Sequence, residues 1–259
     1  MAPAIVHTPG LFTSRAKGRL DLPMALSHIM GRVMFSFSGP QLGPIELRVL
    51  QALVGFAGLQ QQQPVAIDPS GSLDEVQRLL GHTVAISTTY NQLAEVVGYA
   101  INSGSAQTAI RTAIRKLGSV GVSIRQANLV SGPDFSAGNL ICDEFSNRHI
   151  EVELNSILTA AVHGGRGTYI RLDLPEARQL HSDAARLLHH RLHWVNAGTT
   201  REVSLDKMIG YVWSAEDVSA SAQRTRRQVL RGSLDELTSI GWSSAPRGDL
   251  YQIARPIVR

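Results

Sequence analysis

The sequence predicts an α+β protein with two tandem domains of the same kind, and an internal repeat is the main reason. In both copies, apolar residues recur at i, i+4 and i+7, which places them on one face of an α-helix. The two copies lie about 120 residues apart. The matched positions are Ile110, Ile114, Leu117 and Gly121 in the first copy and Leu230, Leu234, Leu237 and Gly241 in the second.

The second copy combines a long helix with a hairpin. Within residues 219–242, Ser219 or Ser221 can cap the start of a helix, and Gly241 can end it. Two strand-like segments then flank a turn at residues 246–249, which predicts a β-hairpin. A helix with arginines on one face, with a basic hairpin after it, is typical of a winged-helix domain.

A shorter helix is predicted upstream of each long one. A short helix, a turn and a longer basic helix match the order of a helix-turn-helix. We therefore predict two tandem winged-helix domains, at residues 43–163 and 169–259, joined by a linker at residues 164–168. The positions matched in the shorter helix are Leu93, Val97, Gly98 and Tyr99 in the first copy and Leu205, Ile209, Gly210 and Tyr211 in the second.

The segments of the first half fit this plan. Residues 1–42 are rich in Pro and Gly and are predicted to form an N-terminal arm with one strand at residues 32–37. The basic residues of the arm suit either a solvated tail or a contact with the minor groove. A helix is predicted at residues 44–58. Three strand-like segments are expected to form an elaborate first wing, at residues 122–127, 139–145 and 148–154.

The second half is predicted to begin with a strand at residues 169–174, after which Pro175 opens a helical region. Ser182 can cap a helix that runs on to Val195. This helix takes the place that the helix at residues 44–58 has in the first half.

Composition limits the class of protein. The 259 residues are 43% hydrophobic and 18% charged, which is sufficient for two compact domains. The net charge is +4, and arginines concentrate after residue 219, so the positive field lies at one end. Cys142 is the only cysteine, which favours a reducing compartment. Because no apolar run reaches the roughly 18 residues that span a bilayer, and no signal peptide is recognisable, we expect a cytoplasmic protein without membrane contact.

The basic helices carry the predicted DNA-binding residues. Arginine pairs bidentately with guanine and with phosphates, so an arginine-faced helix suits the major groove. A solvated surface helix, in which the arginines only provide solubility, is the alternative. The predicted DNA-binding residues are Ser105, Gln107, Thr108, Arg111, Arg115, Lys116, Ser221, Gln223, Arg224, Arg226, Arg227, Gln228, Arg231 and Arg247.

No pattern indicates catalysis or a bound cofactor. His189 and His193 have the i, i+4 spacing of a zinc pair, but His190 stands where a metalloprotease places its Glu. Packing, an interface or a phosphate contact is the alternative role for these histidines and for His181, and we expect no metal. A metal-dependent nicking enzyme would need a His-x-His cluster, and no such motif occurs. We expect a binding protein that is not an enzyme.

Several segments of the chain resemble the replication initiators (RepC) of IncQ-type broad-host-range plasmids. The most specific are LLHHRL at residues 187–192 and GYVW at residues 210–213. The resemblance covers nearly the whole chain and includes further segments, at residues 10–12, 37–40, 47–51, 185–189, 224–231 and 241–242 and at Leu237.

This resemblance implies an initiator that binds double-stranded DNA at iterons, the repeated sequences of the vegetative origin. It also implies that the protein helps to melt the adjacent AT-rich duplex and acts with a plasmid-encoded replicative helicase and primase. A winged-helix transcriptional repressor is the alternative, but a repressor usually carries one DNA-binding head per chain and dimerises on a palindrome. Two heads in one chain favour direct repeats, and a homodimer remains open.

Overall fold

Helices pack around three antiparallel sheets in the part of the chain that the structure describes. The structure is a computed structural model. It describes residues 1–14, 23–60, 83–127, 135–145, 149–163, 170–214 and 218–257.

The helices of these ranges are α1 (Pro3–His7), α2 (Pro44–Gln60), α3 (Tyr90–Val97), α4 (Gly104–Gly118), α5 (Ser156–His163), α6 (Leu174–Gln179), α7 (Asp183–Leu192), α8 (Leu205–Val212) and α9 (Ala220–Ser239). The strands are β1 (Pro23–Met30), β2 (Val33–Pro40), β3 (Val84–Thr89), β4 (Gly121–Gln126), β5 (Phe135–Asn139), β6 (Ile141–Phe145), β7 (His149–Leu154), β8 (Thr200–Ser204), β9 (Ser243–Arg247) and β10 (Leu250–Ala254). The strand orders of the sheets are β1-β2-β4-β5, β3-β7-β6 and β8-β10-β9.

The two halves of the chain repeat one topology. The first half runs α2-β3-α3-α4 and then the hairpin β6–β7, and the second runs α7-β8-α8-α9 and then the hairpin β9–β10. In each half the strand before the short helix pairs with the last strand of the hairpin. The apolar positions matched between the two long helices are buried in both copies: Ile110, Ile114, Leu117, Leu230, Leu234 and Leu237. The predicted repeat is therefore present in the fold.

The match between the two shorter helices is offset from the predicted one by three residues. Helix α3 begins after its N-cap Thr89, and α8 begins after its N-cap Ser204. Counted from these caps, Leu93 corresponds to Met208 and not to Leu205, and both Leu93 and Met208 are fully buried. In the sequence, the pairing of Gly98 with Gly210 favours the predicted match. In the structure these two glycines are not equivalent, because Gly98 ends α3 with a φ of 80° and Gly210 lies inside α8.

Several of the described residues of segment 1–42 belong to the core, whereas the sequence predicts an arm. Ile5 and Val6 of α1 are buried, and so is Leu11. The chain then forms the hairpin β1–β2, whose two-residue turn contains Gly31 with a φ of 61°. The predicted strand at residues 32–37 corresponds to β2, which also pairs with β4. The high Pro and Gly content marks turns between packed elements here, which composition alone does not distinguish from an arm.

The first hairpin is simpler than predicted. Strand β4 lies in the sheet with β2, so only β6 and β7 form the hairpin that comes after α4. Alternation of apolar residues predicts strands but not the sheet to which each belongs. The close approach of β2 to the end of α4 depends on Gly39, which has a φ of 143°. A Cβ atom on residue 39 would lie only 2.5 Å from the Ser119 carbonyl oxygen.

The second half differs from prediction at its start. Residues 170–173 are not a strand, because Asp173 instead caps α6 by accepting a hydrogen bond from the Glu176 amide at 3.0 Å. Helix α7 is capped by Ser182 as predicted, and it ends at Leu192. Tyr169 and the predicted linker at residues 164–168 lie outside the described residues.

Helix α7 connects the two halves. It packs against α8 and α9 of its own half and also against α1 and α2. At the contact with α2, Gln51 donates a hydrogen bond to Nδ1 of His190 at 3.4 Å, and both side chains are buried. One continuous apolar core runs through both halves. No described helix has the length and apolar character that a membrane span requires.

Candidate nucleic-acid interface

Helix α9 is fixed by its apolar face and presents its basic face to solvent. Ser219 caps the helix by accepting a hydrogen bond from the Ala222 amide at 3.3 Å. Leu230, Leu234 and Leu237 are buried against α7 and α8. Gly241 comes after the last turn with a φ of 93°, a left-handed conformation that glycine adopts without strain. Most of the remaining positions of the first three turns are exposed, and Ala222 and Arg226 are half-buried.

The predicted arginine face of α9 is exposed as expected. Gln223, Arg224 and Arg231 are exposed, and Ser221 and Gln228 lie on the same exposed part of the helix. Among the residues that the structure describes, Arg224 and Arg231 have no carboxylate partner. No Asp or Glu occurs between residues 221 and 231, so this part of α9 itself contributes no acidic group to the surface.

Two other arginines of α9 have partners within the protein. The Arg227 guanidinium forms an ion pair with Asp206 at the start of α8, with 3.1 Å between Nη2 and Oδ1. Arg226 is half-buried and lies over the ring of Trp213 at 5.6 Å. The two side chains are therefore held in different ways, Arg227 by an exposed ion pair and Arg226 by an aromatic ring at the edge of the helix.

The hairpin after α9 adds a further arginine. Strands β9 and β10 are joined by a two-residue turn in which Gly248 has a φ of 63°. Arg247 precedes this turn and pairs with Glu202 on β8, with 2.7 Å between Nη1 and Oε1. The Arg247 side chain remains 70% exposed. It is therefore accessible beside α9.

Helix α4 is the equivalent of α9 in the first half. Its N-cap is Ser103, and its buried face includes Ile110, Ile114 and Leu117. The predicted residues that are exposed on α4 are Ser105, Gln107, Thr108, Arg111 and Arg115.

Two basic residues of α4 have structural contacts. Arg111 donates a hydrogen bond to the Tyr90 hydroxyl at 2.9 Å and lies over the Tyr90 ring. Lys116 is half-buried and faces α2, where it pairs with Glu46 at 3.8 Å. The Lys116 contact favours a role in packing α4 onto α2, whereas Arg111 is held at the surface.

His189 of α7 and His193, which follows the helix, form a buried network with residues that no sequence pattern connects to them. His189 donates to Oε2 of Glu176 at 3.0 Å, and the Trp242 indole N–H donates to the same oxygen at 3.1 Å. His193 donates through Nδ1 to the His189 carbonyl oxygen at 2.6 Å. Burial raises the pKa of Glu176, but the hydrogen bonds from His189 and Trp242 outweigh it and lower that pKa below its ordinary value. The network thus fixes Trp242, just after α9, against α6 and α7.

Glu176, His189 and His193 also have the composition of a metal site, since their ligand atoms lie within 4.8 Å of one another. Two observations favour a hydrogen-bonded network instead. The carboxylate already accepts from two N–H groups, and the charged Arg255 lies over the Trp242 ring at 5.7 Å. A guanidinium so near the cluster opposes binding of a divalent cation. The absence of a metal remains a prediction.

Comparisons with known proteins identify the family and the fold. The family model for replication protein C (RepC) matches residues 1–257. No curated protein matches the chain. A crystal structure of selenomethionine derivatives of domains 2 and 3 of RctB is similar to the chain with a TM-score of 0.61 at 10% identity, over 99% of this chain and 98% of that one. Another crystal structure of RctB domains 2–3 is similar with a TM-score of 0.58 at 12% identity, over 95% of each chain.

The likeness to RctB shows a shared fold, because the identity is too low to show more. The family match covers almost the entire chain, including both halves of the repeat and both basic helices. The chain therefore belongs to the RepC family of replication initiators.

Proposed function

We propose that this replication initiator binds iteron repeats in the double-stranded DNA of a plasmid origin, with α4 and α9 in successive major grooves. In this proposal, binding promotes local opening of the duplex so that a helicase and a primase can be loaded. The observation that carries the proposal is that one topology occurs twice in the chain. In each copy the longer helix of the helix pair, α4 or α9, has an exposed basic face.

Each copy has the element order of a winged helix. A helix, a strand, a short helix and a longer helix precede a two-stranded hairpin, and the first strand joins the hairpin to form a three-stranded sheet. In helix-turn-helix proteins the second helix of the pair lies in the major groove and contacts base edges. This comparison assigns α4 and α9 as the recognition helices and the hairpins β6–β7 and β9–β10 as wings.

The positions of the arginines along the exposed face of α9 suggest a division of roles among them. Arg227 and Arg231 are proposed to contact base edges, since they lie toward the middle of the exposed face. Arg224 and Arg226 are proposed to contact phosphates at the edges of the groove. Arg227 must leave Asp206 to reach a base, and this exchange costs little because an exposed ion pair contributes at most about 1 kcal/mol.

A footprint on the origin of the plasmid that encodes the protein tests the proposal. Because two heads occupy successive grooves, a monomer should protect roughly 20 base pairs, arranged as a direct repeat. Protection of one turn, or of a site with dyad symmetry, would contradict this arrangement and favour a repressor. A supercoiled plasmid incubated with Mg²⁺ or Mn²⁺ should show no site-specific nick, and a nick would contradict the proposal that the protein is not an enzyme.

Alanine variants test the roles of the arginines. Replacing Arg227 or Arg231 should weaken binding to the cognate repeat by about 1–3 kcal/mol and relax preference at one position. Replacing Arg224 or Arg226 should weaken binding to all duplexes alike and reduce the slope of affinity against salt by about 1. Equal losses on cognate and scrambled duplexes for Arg227→Ala and Arg231→Ala would overturn the assignment.

A further inference from the structure

A pocket of about 600 Å³ opens where α1 and β1 meet α7 and α8. It brings together residues from four segments that are far apart in the sequence. Its principal lining side chains are His7, His28, Arg191, Trp194, Lys207 and Tyr211. Within the described part of the chain, four basic side chains and no carboxylate line this space.

Arg191 is the charged group at the wall of the pocket. Its guanidinium donates to the Val6 carbonyl oxygen and lies over the Tyr211 ring at 4.8 Å. Among the described residues no carboxylate forms an ion pair with it, and its Nε is buried without a hydrogen-bond partner. A half-buried cation without a counter-ion is unfavourable, and an anion placed in the pocket would offset this cost.

Lys207 lies at the rim of the pocket and links it to the arginine face of α9. It is exposed in the first turn of α8, and no described residue pairs with its ammonium group. The preceding residue, Asp206, forms the ion pair with Arg227 of α9. A DNA strand that passes along α9 at Arg227 therefore runs next to the first turn of α8, where Lys207 lies.

The two histidines at the other side of the pocket are held neutral by their surroundings. Burial, together with the charge of Arg191, lowers the pKa of both His7 and His28. Their ring nitrogens remain hydrogen-bonding groups in the neutral form. An anion that enters the pocket therefore meets two positive charges and two further polar groups.

We propose that this pocket binds a phosphate group, and that the backbone of the DNA strand passing along α9 supplies it. The source rests on the proposed function, because it requires α9 to lie against DNA. The two non-bridging oxygens of a backbone phosphate can accept from Arg191 and Lys207 together. DNA binding would then involve the N-terminal segment of the chain through α1 and β1, in addition to the two recognition helices.

Gly210 offers a direct test, because it lines the pocket on the exposed side of α8 and an added Cβ would meet no atom within 4 Å. Gly210→Asp places a negative charge at the mouth, and Gly210→Asn has the same shape without the charge. Lys207→Gln removes a positive charge from the rim. Arg201→Gln removes the same charge from exposed β8, away from the pocket. Circular dichroism checks that every variant is folded.

Two measurements distinguish the sources of phosphate. Calorimetry with inorganic pyrophosphate tests the pocket without DNA, and gel-shift titration with origin duplex over a salt series tests DNA binding. We expect pyrophosphate binding in the wild type and its loss in Gly210→Asp. We also expect Gly210→Asp to bind DNA about tenfold or more weakly than Gly210→Asn, because like charges in contact are strongly unfavourable. Lys207→Gln should reduce the salt slope by about 1, while Arg201→Gln should match the wild type.

Three outcomes would overturn the proposal or part of it. The first is that the two Gly210 variants bind DNA equally well while the wild type binds pyrophosphate. This result would overturn DNA as the source of the phosphate and leave a site for a free phosphate compound. No response to pyrophosphate and no difference between the variants would overturn the site, and an acidic peptide would become the better ligand. In the third outcome, the wild type binds pyrophosphate but no origin DNA. This result would refute both the proposed function and DNA as the source of the phosphate, but it would leave the pocket as a phosphate-binding site.

Discussion

Acid should unfold this protein through three histidines, two in α7 and one directly after it. His189, His190 and His193 are each almost completely buried. Burial lowers the pKa of all three below the ordinary value of 6.5, and it lowers the pKa of His190 to about 3. Below pH 6.5 the unfolded chain therefore binds protons that the folded chain excludes, so the free energy of unfolding must fall as the pH falls.

The size of this effect depends on the number of buried rings. Each histidine that is neutral when folded and protonated when unfolded contributes a slope of about 1.4 kcal/mol per pH unit. His190, whose pKa is about 3 in the folded chain, contributes close to this slope between about pH 5.5 and pH 4, and His189 and His193, whose pKa values are also lowered, add to it. His7 and His28, whose pKa values are also lowered, add to this slope. Since small proteins are stable by only about 5–15 kcal/mol, the buried rings together should unfold the protein in acid.

Urea denaturation between pH 7.5 and pH 5 measures the slope directly. Glu176 contributes little to the slope in this range. Because its pKa is lowered in the folded chain, its ionised form stabilises the fold, and this contribution is lost only as the pH falls below the ordinary pKa of 4.5. His190→Gln should reduce the slope by about 1.4 kcal/mol per pH unit, because it removes one titrating ring while keeping a polar group near Gln51. His181→Gln is the matched control, since His181 is exposed. A free energy of unfolding that is constant from pH 7 to pH 5, or an equal slope in both variants, would refute this reasoning.

Four further substitutions test the packing of the two halves and the role of Arg111. Ile114→Asp should prevent the first half from folding, because it buries an unpaired carboxylate. Arg111→Ala should keep the far-ultraviolet circular dichroism of the wild type and weaken DNA binding, because Arg111 is exposed. Similar melting of both variants would show that Arg111 is structural. Gly39→Ala should lower the melting temperature strongly, because its Cβ would lie 2.5 Å from a backbone carbonyl oxygen, and an unchanged melting temperature would contradict the described contact. Trp242→Phe should cost about 1–3 kcal/mol in urea denaturation through the lost hydrogen bond to Glu176, and a smaller loss would show that the bond contributes little.

The helices are predictable because their signals are local. Spacing of Leu230, Leu234 and Leu237 predicts the buried face of α9, and Ser219 and Gly241 predict its ends. The hairpin β9–β10 is equally predictable, since its turn residues are adjacent in the sequence. Each of these features depends on residues within a few turns of one another, so one sequence is sufficient to find them.

The remaining features depend on contacts between distant segments. Alternation predicts β4 but cannot show that it pairs with β2 across more than eighty residues of sequence. The pairing of Glu176 with His189 and the approach of His28 to Arg191 likewise leave no local pattern. The sequence therefore predicts the exposed arginines of the candidate site, but not the partners that hold them or the pocket beside them.

In the proposed function, those partners position an exposed arginine without withholding it from DNA. Arg227 and Arg247 each pair with a carboxylate of their own half, Asp206 and Glu202, at the surface. An exposed pair of this kind limits the directions in which the guanidinium points but contributes at most about 1 kcal/mol. A phosphate or a guanine edge offers a stronger, bidentate partner, so the arginine can exchange at small cost. A buried ion pair would hold the guanidinium more firmly. Breaking a buried pair would cost several times more free energy than breaking an exposed one, and this cost would oppose DNA binding.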